Sequence, residues 1–146
     1  QFLGEVPSLY ETTGASKGYT HPGDARTLLW GTQRGILQVA LFGPSVKLLI
    51  IREARSHPWI IGTSFHISGG LELQDVKWDE KKRILSGELH RPPGQEGFIL
   101  IAGVNGKNVK AKVADSYVPT ISSANGSVKF PIVTKKEVTP WTVKVI

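Results

Sequence analysis

Hydrophobic and polar residues alternate with a period of two along much of the chain. Trp59, Ile61, Thr63, Phe65 and Ile67 fall on one side of an extended segment, and Gly62, Ser64 and His66 on the other. Val109, Ala111 and Val113 alternate with Lys110 and Lys112; Val128, Phe130 and Ile132 make a third such face, and Trp141, Val143 and Val145 a fourth. Successive side chains of a strand point to opposite faces of its sheet, so each pattern predicts a strand with one buried side. Residues 36–42, 46–51 and 98–102 are apolar at both parities and rich in β-branched and aromatic types. They predict central strands covered on both sides.

Turn chemistry agrees with these strands. Asn105-Gly106 and Asn125-Gly126 separate strand-like segments, and Asn-Gly admits the positive φ of a type I′ hairpin turn. Residues 79–82 suit a four-residue turn, and Gly43-Pro44, Gly69-Gly70 and Pro92-Pro93-Gly94 are further breaks. One stretch changes phase: Leu71 and Leu73 share a parity, whereas Val76 and Trp78 have the opposite one. A bulge at Gln74-Asp75 returns all four to one side. A helix over 73–85 lacks a sustained apolar stripe.

The pattern amounts to about ten strands, with turn signals every 8–12 residues or so, and no helix. It predicts an all-β fold, a two-layer antiparallel β-sandwich, with a β-barrel as the alternative closure. A length of 146 residues fits a single domain over 1–146. Within it, residues 11–24, rich in Gly, Thr and Ser, read as a long loop or linker.

Composition narrows the chemistry. There is no cysteine, which removes disulfides, thiolate ligands and cysteine nucleophiles together. There is no methionine either, as expected of a processed product or a piece of something longer. Gln1 suits the residue after a signal or propeptide cleavage, and equally a proteolytic boundary; a secreted or extracellular setting is the expectation. No apolar run approaches the ~20 residues of a membrane-spanning helix.

The net charge is +6. Lys107, Lys110, Lys112, Lys129, Lys135, Lys136 and Lys144 crowd the C-terminal part, against Asp115 and Glu137. Basic clusters serve nucleic acid or anionic lipid. Here Lys110, Lys112, Lys129 and Lys144 alternate with apolar residues, as the solvent side of strands does, and nucleic acid is disfavoured as a partner.

No motif assigns a catalytic residue. His21, His57, His66 and His90 lie at no metal-ligand spacing, so no metal site is expected. The stretch Gly14-Ala15-Ser16-Lys17-Gly18 departs from the spacing of a phosphate loop, no Gly-x-Ser-x-Gly elbow occurs, and no cofactor is expected. Asp75, Asp79 and Glu80 gather near a turn, where carboxylates are ordinarily solvated.

Aromatic residues are the better lead. By parity Trp30, Trp59, Trp78 and Trp141 are core residues. If one is exposed, Trp59 is favoured, because it follows the turn-like Ser56-His57-Pro58. Tyr19 and Tyr117 lie in loop-like stretches. Exposed rings stack on the apolar faces of sugars, so Trp59, Tyr19, Tyr117 and His57 are the candidate carbohydrate-binding residues. Asn125-Gly126-Ser127 is a glycosylation sequon, usable in a eukaryotic secretory pathway.

Residues 71–101 read LELQDVKWDEKKRILSGELHRPPGQEGFILI. This resembles a recurring pattern in β-sandwich modules appended to glycoside hydrolases, in which a Val-x-Trp-Asp strand end turns into Leu-Ser-Gly. A Pro-Gly loop and a Phe-Ile-Leu-Ile strand follow. Asn105-Gly106-Lys107 and the closing Trp-Thr-Val-Lys-Val strand are similar to the last strands of such modules. The resemblance covers roughly half the chain and carries over no catalytic residue. It implies a non-catalytic accessory module of a carbohydrate-active enzyme, packing against a catalytic domain of the same precursor or holding carbohydrate. Two alternatives stand beside it. One is a protein-interaction module or subunit cut from a larger precursor. The other is a small all-β enzyme acting on a glycan, which predicts a concave pocket with convergent carboxylates or histidines.

Overall fold

Runs rich in β-branched and aromatic residues, broken by Gly, Pro and Asx turns, form twelve strands and no helix among the described residues. The computed structural model of the chain describes residues 5–13, 26–34, 36, 47–65, 70–104, 108–122 and 126–146. For 5–13, 26–34 and 47–49 it describes the backbone alone. The strands are β1 (Glu5–Thr13), β2 (Arg26–Arg34), β3 (Lys47–Ile51), β4 (Trp59–Thr63), β5 (Leu73–Asp79) and β6 (Ile84–His90). They continue as β7 (Glu96–Ala102), β8 (Val109–Val113), β9 (Ser116–Val118), β10 (Ile121–Ser122), β11 (Val128–Val133) and β12 (Val138–Val145). The chain divides into two compact units, Gln1–Ala54 and Arg55–Ile146.

The first unit holds a three-stranded antiparallel sheet in the order β2-β1-β3. β1 runs against β2 from Glu5↔Arg34 to Thr13↔Arg26, with register shifts around Leu9. Its other edge takes β3 from Leu9↔Ile51 to Thr13↔Lys47. Two expectations change here. Among the described residues the 46–51 run supplies an edge strand, β3, rather than a central one, with Ile50 buried and Ile51 exposed. Residues 11–13, expected in a loop or linker, belong to β1, while 14–24 lie outside the described residues. The central strand expected at 36–42 also lies outside them, apart from the exposed Ile36.

The second unit is the two-layer β-sandwich. One sheet has four strands in the order β10-β11-β7-β4, the other five in the order β5-β6-β12-β8-β9. All pairings are antiparallel and neither sheet closes into a barrel. Leu85, Leu89, Ala111, Val113, Trp141, Val143 and Val145 from the five-stranded sheet meet Ile99, Ile101, Val128, Phe130 and Ile132 from the other in one core. β11 alternates buried and exposed without a break, as its period predicts. β7, a central strand between β11 and β4, is buried at both parities from Ile99 to Ala102, in keeping with its apolar run.

Large rings fill this core because glycines make room for them. A Cβ on Gly87 would stand 2.7 Å from Cζ2 of Trp141, and one on Gly97 2.7 Å from Cζ of Phe65. Gly103, at φ +79°, lies against the Trp59 ring. The glycine of Leu85-Ser86-Gly87 thus faces inward on β6 and seats the indole of β12.

The phase change in β5 is a bulge. Register slips between Gln74 and Lys77, and Asp75 takes φ +52°. Leu73 and Trp78 both pack on the core, as a bulge at Gln74-Asp75 requires. Val76 does not follow them: it is part of the bulge and stays exposed, as does Leu71 in the preceding turn. The turn after β5 is closed by Asp79, whose Oδ1 accepts the Lys82 N–H at 3.0 Å. Arg83 completes it at φ +55°.

Two of the five connections that cross between the layers, β6 to β7 and β11 to β12, lie side by side. The buried Thr134 ties them together. Its Oγ1 accepts the Gln95 N–H at 2.9 Å and donates to the Pro92 carbonyl at 2.7 Å. Its own carbonyl accepts the Gly94 N–H at 2.7 Å, and its N–H donates to the Gln95 carbonyl at 2.9 Å.

Candidate functional site

Alternation places the polar residues of the five-stranded sheet on a single outer face. On β6 the buried positions are Leu85, Gly87 and Leu89, so Ile84, Ser86, Glu88 and His90 point outward. On β12 Trp141, Val143 and Val145 are inside, and Thr142 and Lys144 outside. β8 offers Lys110 and Lys112.

Register then aligns these residues into rows. Lys77 stands opposite Ser86, Ser86 opposite Thr142, Thr142 opposite Lys112, and Lys112 opposite Tyr117. This row crosses all five strands, about 19 Å at the usual strand spacing. The next row holds Asp79, Ile84, Lys144 and Lys110. Tyr117 closes the first row with a ring 67% exposed, and the Lys112 ammonium lies 4.6 Å from its centroid. The two acids near the rows are engaged: Glu88 takes His90 Nε2 at 3.2 Å, and Asp79 takes Lys82 at 3.7 Å. Among the described residues, none of Lys77, Lys110, Lys112 and Lys144 is in an ion pair.

A second group lies where β4 begins and β5 ends. The His57 and Trp78 rings stack nearly parallel, 5° apart in plane with centroids at 5.7 Å. Trp78 Nε1 donates to a Glu80 carboxylate oxygen. Because Trp78 also packs on the core, the stack pins β5 to the start of β4 and leaves the indole little free face.

The sequence candidates therefore separate. Tyr117 stands on the open outer face. His57 is half-buried in the stack with Trp78, and its Nδ1 lies 2.8 Å from the Pro58 carbonyl. Trp59 is 9% exposed and packs on Gly103; of the tryptophan side chains described, Trp78 is the more exposed, and Trp141 is buried. Tyr19 and the sequon Asn125 lie outside the described residues, as do His21, His66 and the 14–18 segment. The row of Lys77, Ser86 and Thr142 beside Tyr117 was missed by sequence reading, since parity gives each strand's outward residues but not their register.

One hollow opens where the β8–β9 turn meets the β11–β12 connection. It has a volume of about 500 Å³, with Val118, Val133 and Val138 among its walls and Asp115, Lys135 and Lys136 at its polar positions. Among the described residues its lining contains one carboxylate and no histidine. No group of three or more metal-ligating side chains occurs among the described residues. Nor do the described residues contain a helix long and apolar enough to cross a membrane. Comparison of the chain with protein-family models, with curated proteins and with solved structures finds no match in any of the three.

Proposed function

We propose that the chain is a non-catalytic accessory β-sandwich module of a carbohydrate-active enzyme, and that it holds carbohydrate on the outer face of its five-stranded sheet. The observation that carries this reading is the row ending in Tyr117. An exposed ring at the end of a line of hydroxyl and amine groups matches what a sugar chain offers. Its apolar C–H face can lie on the phenol, and its hydroxyls can exchange hydrogen bonds with Ser86, Thr142 and the lysines. The backbone of that face is already ordered by sheet pairing, so binding need order only side chains.

The test is retention of the full chain on a panel of immobilised neutral and acidic polysaccharides, with Tyr117→Ala alongside. Retention by at least one polysaccharide, weakened about tenfold or more by Tyr117→Ala, is the expected result. No retention by any of them sinks the carbohydrate reading. A second reading, packing against a catalytic domain of the same precursor, is favoured by the hollow, where Val133 is 46% and Val138 39% exposed. Apolar groups gathered at one open hollow suit burial by a partner surface. In that case Val138→Asp leaves polysaccharide retention unchanged and weakens co-elution with the catalytic domain.

A further inference from the structure

We infer that the ligand of the outer face is an acidic polysaccharide, one carrying a carboxylate on its sugar units, rather than a neutral one. This rests on the reading of that face as a carbohydrate site and adds the charge of the ligand. Four lysines, Lys77, Lys110, Lys112 and Lys144, share the two adjacent rows. Lys110 and Lys144 stand directly opposite each other on neighbouring strands. Like charges placed so destabilise a sheet, and no acid described on this face relieves them, because Asp79 is engaged with Lys82 and Glu88 stands two rows away, beyond Ser86. A carboxylate seated between the two ammonium groups converts that repulsion into attraction. Lys112 and Lys77 extend the positive line on either side of Ser86 and Thr142, so a chain with repeating negative charge meets a repeating positive one.

The chemistry of the face favours such a glycan over nucleic acid. All four of its cations are lysines, compact point charges, and the planar guanidinium fork that grips phosphate in two places is not among them. A single-stranded nucleic acid stacks its successive bases on a series of rings. Among the described residues this face presents Tyr117, at the end of a line of hydroxyls and amines, and the His90 imidazole beside Glu88, which do not form a series.

The experiment measures binding of the full chain to polygalacturonate, to a neutral glucan and galactan, and to single-stranded oligothymidylate. Each is measured in 20 mM and 300 mM NaCl, with the double variant Lys112→Gln/Lys144→Gln beside it. These lysines are not in the core, and unchanged unfolding midpoints check that the variant is folded. We expect polygalacturonate to bind at least tenfold more tightly than the neutral polymers. Its affinity should fall about tenfold or more in the higher salt, as screening of exposed charges requires, and by a similar factor in the double variant. Binding to neutral polymers alone overturns this inference and leaves the carbohydrate reading standing. Binding to no polysaccharide overturns both. Oligothymidylate binding as tight as that of polygalacturonate, or a double variant that binds polygalacturonate undiminished, also overturns it.

Discussion

The two faces of the five-stranded sheet obey opposite rules. The inner face is fitted shape to shape: Gly87 on β6 gives up its side chain so that Trp141 on β12 can lie flat against the backbone. The outer face of the same two strands carries the half-buried Ser86 and Thr142 and the exposed Lys144, which β8 sets against Lys110. Adjacent positions in the sequence thus differ in what limits them. Inside, volume is limiting and a single methyl is too much; outside, volume is free and charge is what accumulates. Stability comes from the first face, and the second is left to do something else.

Three substitutions test that division, beginning with the largest effect. Gly87→Ala puts a methyl where Trp141 already lies, with the Gln74 carbonyl oxygen at 3.1 Å on another side. Overpacking of this kind costs about 3 kcal/mol, read as a lower midpoint in denaturant unfolding at an unchanged slope. A midpoint that does not move shows that the inner face is less tightly fitted than described. Thr134→Val keeps the volume but removes the hydroxyl that serves Gln95 and Pro92. Gln95 is half-buried and Pro92 exposed, so water replaces part of what is lost and the cost is about 1 kcal/mol, again read from the unfolding midpoint. Lys110→Glu acts on the outer face and has the opposite sign. It replaces a like pair with an opposite one and stabilises by a few tenths of a kcal/mol, or about 2 °C in melting temperature. The gain should vanish in 1 M NaCl, where screening acts within ~3 Å. The same variant should bind polygalacturonate less well, so stability and binding move apart; a variant that loses stability contradicts the assignment of repulsion to this pair.

How far the sequence discloses this molecule depends on what each feature needs. β8, β11 and β12 are legible because a half-buried strand writes its burial into parity. The bulge of β5 is legible for the same reason, as a slip of parity at Gln74-Asp75. Val76 escapes because a residue inside a bulge has no parity to obey. β9 and β10, with three and two residues, are too short to show a period. The 46–51 run records that its side chains are apolar, not that β3 ends a sheet. Trp59 and Trp78 look alike in sequence, each in phase with its strand. What separates them is Gly103, which receives the first ring, and His57, which covers part of the second. The candidate site is the least legible part. Tyr117 can be named from the chain alone, but its row joins five strands whose mutual register is a property of the folded sheet.

Thr134 has a consequence for how the sandwich opens. One residue joins two of the five connections that pass between the layers, so the sheets cannot part along these two while its hydrogen bonds stand. Exchange of the Gly94, Gln95 and Thr134 amides with heavy water therefore reports separation of the two layers rather than local fraying. These three protons should be lost together, at the rate of the core amides of β7 and β11, although they sit in loops, where protection is ordinarily low.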